Sequence, residues 1–152
     1  MVSSVHIREA LSDIWHQFGI TMPINNTEIS IPASKFYESI SYETLTASWL
    51  TRHAWEVFSP MIDHGMKTDL LISNGKMFYR IQVKTVESND ENQIVDNKWG
   101  SVDIDYVIYF SLSEDWGYIT RPFEGKRKRL NSPDHIRFHQ HPNNFIKAFK
   151  KI

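Results

Sequence analysis

The sequence predicts an α/β protein, a mixed sheet of four or five strands with flanking helices. Three patterns predict it. Apolar residues recur at helical spacing near the start, with Ile7, Ala10, Leu11, Ile14, Trp15 and Phe18 on one face. An Asn74-Gly75 turn separates two β-rich runs. A largely apolar run follows Asp105.

Each element follows in order. The stripe from Ile7 to Phe18 predicts a first helix, with Gly19 where a C′ glycine belongs. Residues 20–40 contain Pro23, Asn25-Asn26 and Pro32, and read as loop with one short strand at Glu28-Ile29-Ser30-Ile31. Ser41 caps a second helix over 42–53, whose inward stripe includes Ala47, Leu50 and Ala54, with Glu43 one turn before Ala47. Trp55-Glu56-Val57-Phe58 alternates as a strand does, and Pro60 ends it. Residues 68–72 and 77–85 form the arms of a hairpin around Ser73-Asn74-Gly75-Lys76. The polar stretch 87–98 reads as a mobile loop, 102–112 and 116–119 as strands, and 144–151 as a last helix.

Composition narrows the class. The 152 residues, 41% hydrophobic and 23% charged, fit one globular domain that folds without a covalent staple. Zero cysteines exclude disulfides, thiolate catalysis and thiolate metal sites. No run approaches the ~18 apolar residues of a membrane span. The start of the chain lacks a basic segment leading into an apolar one, so no signal peptide is expected and a cytoplasmic location is. The net charge of −1 hides an asymmetry: residues 126–152 carry +7 and residues 1–125 carry −8. A basic segment on an acidic body is the footprint of a polyanion binder, although a solvated terminus has the same composition. His135, His139 and His141 fall in this segment at spacings that suit polyanion contact or plain surface better than a metal site.

Four residues carry a specific chemistry. Gln82 and Lys84 are two apart on one strand and share a face, Asp69 opens the facing strand, and Glu43 projects from the preceding helix. Taken singly, Asp69 fits a turn, Gln82 and Lys84 fit a wet strand face, and Glu43 fits a helix first turn. Together, carboxylates and a lysine aimed at one place suit hydrolysis of a phosphodiester. A hard dication such as Mg²⁺ takes oxygen ligands, and a lysine stabilises transition-state charge or positions the attacking water. Glu56 and Glu38 are weaker rivals for the helix carboxylate, the first lying in a strand and the second before the expected cap.

Gly65-Met66-Lys67-Thr68-Asp69-Leu70-Leu71-Ile72, followed by Arg80-Ile81-Gln82-Val83-Lys84-Thr85, resembles the core of the PD-(D/E)xK (restriction-endonuclease-like) nuclease superfamily. The wording Ile-Gln-Val-Lys-Thr is most similar to the homing endonucleases encoded in group I introns. The resemblance spans residues 41–122 and takes in Trp55–Pro60, Asp105–Tyr109 and Tyr118–Pro122. Two positions depart from the pattern: Thr68 stands where a proline is expected, and Gln82 where the acidic residue is. The glutamine recurs in the intron-encoded branch. It keeps a carbonyl oxygen for a metal and removes one negative charge.

The resemblance implies a restriction-endonuclease-like α/β core over 41–122, with 1–40 as an N-terminal extension and 123–152 as a basic C-terminal extension of one domain. It implies a Mg²⁺- or Mn²⁺-dependent DNA endonuclease with Glu43, Asp69, Gln82 and Lys84 as catalytic residues. Asp69, Gln82 and the backbone carbonyl of Val83 become the metal ligands. Double-stranded DNA is the expected partner, cut site-specifically by a homodimer or homotetramer, because one small chain cannot reach both strands of a long target. Lys126, Arg127, Lys128 and Arg129 are the expected phosphate contacts. The alternatives are a junction resolvase or restriction or repair nuclease of the same fold, and a DNA-binding module whose site has decayed.

Overall fold

Phe110 touches Tyr42 and Trp49 with ring centroids 5.0 and 5.9 Å away, which locks the helix that carries them onto the middle of the sheet. The structure, a computed structural model, describes residues 28–62 and 65–152. The predicted helix over 7–18 and its Gly19 cap lie outside the described residues. Residues Pro32–Ile152 form one compact unit, and the described elements are helix α1 (Ile31–Thr51), strands β1 (Glu56–Phe58), β2 (Leu70–Ser73), β3 (Phe78–Val86), β4 (Ile94–Asp96), β5 (Tyr106–Ser111), β6 (Trp116–Thr120), β7 (Arg127–Arg129) and β8 (Ile136–His139), and helix α2 (Pro142–Phe149).

Helix α1 begins well before the expected cap. Pro32 sits in its first turn, where a missing N–H costs nothing and the fixed φ favours a helix. Ser41 is inside the helix, and its hydroxyl donates to the carbonyl of Glu38 at 2.6 Å. The short strand expected around residues 28–31 is absent; the helix starts at Ile31. Thr46, Trp49 and Leu50 are buried at helical spacing. Ala54, expected on the inward stripe, is exposed beyond the helix end at φ 65°, while Trp55 N–H donates to the carbonyl of Leu50 at 3.2 Å. That is the left-handed C′ position at which glycine is usual.

Six strands in the order β1-β2-β3-β5-β6-β8 make the main sheet, with β4 and β7 in a separate ribbon. Only β3 and β5 run parallel among the ladders of the main sheet. Among the described residues the expectation of four or five strands is therefore corrected to six. The added strand, β8, alternates Ile136 and Phe138 against Arg137 and His139, with Phe138 buried. The β2–β3 hairpin turns at Gly75 (φ 87°), with Asn74 Oδ1 accepting from the N–H groups of Lys76 and Met77.

Both faces of the sheet are covered at β5 and β6. Leu70, Ile72, Ile81, Val83, Ile108, Phe110, Ile119 and Phe138 face the helices, under Trp49, Leu50, Phe145 and Phe149. Val107, Tyr109, Trp116 and Tyr118 face the other way, under Val95, Trp99, Phe123 and Leu130. This two-sided burial explains why β5 reads as a continuous apolar run. Gly117 is fixed by close approach: a Cβ there would lie 2.2 Å from the Phe138 ring and 2.6 Å from the carbonyl of Tyr109. Helix α2 is capped by His141, whose side chain accepts from Asn143 N–H, and Pro142 occupies its first turn.

Residues 87–98, expected to be a loop, include β4, because its backbone pairs antiparallel with β7. Glu91 in the same segment is held by Arg137, with contacts of 2.9 and 3.0 Å, and by the hydroxyl of Tyr118.

Candidate functional site

The ladder itself sets which side chains share a face. Leu70 pairs with Ile81, Gln82 with Val107 and Lys84 with Tyr109. Asp69 extends the β2–β3 ladder by one step, its N–H donating to the carbonyl of Ile81 at 3.0 Å. Asp69, Gln82 and Lys84 therefore lie on the sheet face away from the helices, because strand side chains alternate. The apolar layer on that face covers β5 and β6 and involves β3 only at Val86. On that face Gln82 is buried, and Asp69 and Lys84 are partly buried.

The carboxylate of Asp69 is tied to the facing strand: its Oδ2 accepts from the backbone N–H of Val83 at 2.6 Å. A bond from N–H to an ionised carboxylate is about twice as strong as a neutral one. Gln82 is 1% exposed, and its Oε1 has no hydrogen-bond partner. A buried orphan carbonyl costs about 1–3 kcal/mol, so it requires an explanation. Lys84 is half-buried. Burial pushes its amine below the ordinary value, Asp69 pulls the other way, Lys98 and Lys67 lower it further, and Glu43 raises it. Glu43 of α1, partly buried on its helix, is thus within electrostatic reach of Lys84. Glu38 and Glu56 are exposed and do not figure among the charges acting on Lys84.

Lys84 also lines a cleft with Gln93, Asp96, Lys98, Trp99 and Tyr109, between the end of β3 and the crossover that carries β4. The hydroxyl of Tyr109 and the amide nitrogen of Gln93 are buried without partners. The sequence reading missed these crossover residues, since 87–98 carries no strand periodicity and β4 exists only through its pairing with β7.

The residues that could hold a metal offer oxygen alone: the Asp69 and Glu43 carboxylates, the orphan carbonyl of Gln82 and the backbone carbonyl of Val83. That donor set, with no nitrogen or sulfur, fits a hard dication. Among the described residues there is no group of three His, Cys, Asp or Glu placed to hold a metal, so any such site depends on Gln82 and the backbone.

Of the basic cluster, Arg127, Lys128 and Arg129 form strand β7, and Lys126 stands just before it. Arg127 Nε contacts Asp96 Oδ1 at 2.9 Å, and Lys128 Nζ contacts Asp134 Oδ2 at 2.5 Å while lying 5.8 Å from the centre of the Phe123 ring. Lys126 and Arg129 are exposed and form no ion pair with a described residue. The histidines are structural here. His135 is buried, its Nδ1 2.7 Å from the carbonyl of Leu130 and its pKa lowered by burial, and His139 pairs with Asp115 at 2.7 Å.

No described helix is long and apolar enough to cross a membrane. No protein-family model matches the sequence, and no curated protein matches it. Among solved structures, the chain is similar to a bacterial homing endonuclease, I-Ssp6803I, with a TM-score of 0.50 and 18% identity over 63% of this chain and 74% of that one. At that identity the likeness is one of fold: this mixed α/β chain shares the architecture of a homing endonuclease.

Proposed function

We propose that the protein is a metal-dependent endonuclease that cuts duplex DNA site-specifically, as a homing endonuclease does. The observation that carries this reading is the convergence of Asp69, Gln82 and Lys84 on one face of the sheet, with Asp69 bonded to the backbone between the other two. The fold likeness to a homing endonuclease supports it.

In this reading Asp69, Gln82 and the carbonyl of Val83 hold Mg²⁺ or Mn²⁺, with Glu43 supplying further negative charge. When bound, the metal polarises the phosphoryl oxygen and lowers the pKa of a water. Lys84 stands beside that place with an amine that gives up its proton more readily than a free lysine. It holds the charge growing on the phosphoryl oxygens, or takes the proton of the attacking water. The water oxygen bonds to phosphorus, one P–O bond to the deoxyribose breaks, and the leaving oxygen takes up a proton to become a hydroxyl. The Asp69–Val83 bond keeps the carboxylate over β3 throughout.

Lys126 and Arg129 contact backbone phosphates in this reading. Arg127 and Lys128 contribute less, because each already holds a carboxylate. A double-strand cut at a long site needs two active sites, which a homodimer or homotetramer supplies.

The test is incubation with Mg²⁺ and plasmid, branched DNA or the sequence flanking its own gene. One discrete double-strand cut supports the homing reading. Preference for junctions moves the substrate to branched DNA. Binding without cutting by the wild-type chain overturns the enzymatic reading.

A further inference from the structure

Three lysines from three separate segments meet at the candidate site. Lys67 ends the stretch before β2, Lys84 is on β3, and Lys98 follows β4 in the crossover between β3 and β5. Lys84 and Lys98 line the same cleft, and Lys67 is two residues from Asp69. Lys67 and Lys98 both lie within electrostatic reach of Lys84.

Such crowding is unfavourable in the free protein. Like charges destabilise each other, whereas Lys35, Arg127, Lys128 and Arg137 each meet a carboxylate, of Glu87, Asp96, Asp134 and Glu91 in turn. Lys67 and Lys98 are exposed and form no ion pair with a described residue. Lys67 also holds a left-handed backbone, φ 58°, that a side-chain-bearing residue seldom adopts. Asp96, the acid nearest to Lys98 in the chain, is occupied by Arg127 across the β4–β7 ribbon. That pairing leaves the cleft rim at Lys98 cationic.

We infer that Lys67 and Lys98 are positioning residues that grip backbone phosphates on either side of the bond to be cut, so that the strand runs across β3 between them. A polyanion threaded there turns the mutual repulsion of the lysines into attraction, each ammonium meeting a phosphate and releasing its counterions. The two lysines act as point charges, so they fix the path of the backbone without reading sequence. This inference rests on the nuclease reading above, and it assigns that reading a path for the strand that the basic strand β7 does not provide.

The experiment is duplex binding by the full chain in EDTA, across a range of salt, for wild type, Lys67→Ala, Lys98→Ala, the double variant and Lys98→Arg. Melting curves confirm that these exposed substitutions leave the fold intact. The slope of log affinity against log salt should fall by about 0.9 in each single variant and about 1.8 in the double variant. Lys98→Arg should keep the wild-type slope, because the charge is retained. If the alanine variants keep the wild-type slope while wild type still cuts DNA, this assignment is overturned and the nuclease reading stands. If wild type binds no duplex at any salt, both are overturned.

Discussion

Val83 donates its backbone N–H to Asp69 Oδ2 at 2.6 Å, so the carboxylate that opens one arm of the hairpin is fastened to the other arm between Gln82 and Lys84. Asp69 thus has a structural bond as well as a charge, and two substitutions separate them. Asp69→Asn keeps an oxygen that accepts from Val83; Asp69→Ala does not. Both should abolish cutting. Only Asp69→Ala should also lower stability, by about 1–3 kcal/mol, for a buried N–H left without a partner. Urea titration of the two variants checks this, and equal destabilisation would sink the distinction.

Lys84 carries an activity and a stability cost together. Its amine is held below the ordinary 10.5, first by burial, with Lys98 and Lys67 adding to it and Asp69 and Glu43 opposing it. The folded state therefore releases this proton at lower pH than the unfolded chain. Between the lowered value and 10.5 the unfolded state binds more protons, and stability from this residue rises with pH there. Lys84→Met should lose cutting by about 10²–10⁴-fold. It should melt above wild type at pH 7, and the gap should narrow as pH approaches 10. A Lys84→Met protein that melts below wild type at every pH contradicts the sign.

Gln82 offers a sharper test of metal binding. Gln82→Leu removes a buried carbonyl that has no partner and keeps similar volume, so stability should hold or rise while cutting is lost. Gln82→Glu places a second carboxylate near Asp69. It should melt below wild type in EDTA and recover more than wild type does when Mg²⁺ is added, since a ligand bound only to the folded state stabilises it. A Mg²⁺ response equal to that of wild type removes Gln82 from the ligand set.

The basic strand should behave unevenly. Lys126→Ala and Arg129→Ala should each lower the salt slope of duplex binding by about 0.9. Arg127→Ala should lower it less, because Asp96 already neutralises that guanidinium at 2.9 Å. Equal slopes for all three variants would show that the ion pair opens on DNA.

Much of this was legible in the sequence, and the gaps have physical causes. Asn74-Gly75 and the alternation on either side located the hairpin, and the two-residue spacing of Gln82 and Lys84 put them on one face. The start of α1 was misread because Pro32 ends a helix interior but suits a helix first turn. The strands β4 and β7 were hidden because one is only Ile94–Asp96 and the other is Arg127–Arg129, and neither has an apolar period. Their pairing is a long-range event that no local window records. Lys98 was missed for the same reason, since the crossover that carries it acquires a place only when β4 finds β7. The Ile136 and Phe138 alternation of β8 is visible, but the charges around it read as a basic extension that binds a polyanion and not as part of the sheet.

The single parallel junction of the sheet, β3 with β5, has a consequence for the order of assembly. The β2–β3 and β5–β6 ladders join strands that are neighbours in sequence, whereas β3 and β5 meet only after the whole crossover is ordered. Contacts close in sequence form with the smaller loss of chain entropy, so the two hairpins should precede their union. Ile72→Val in the first hairpin should therefore slow refolding, and Val83→Ala, on the part of β3 that pairs with β5 and not with β2, should chiefly speed unfolding. Stopped-flow chevrons with the opposite pattern would reverse the sequence of events. The acid and the lysine on β2–β3 are then partners from the first moments of folding, and the wall that bears Lys98 closes beside them last.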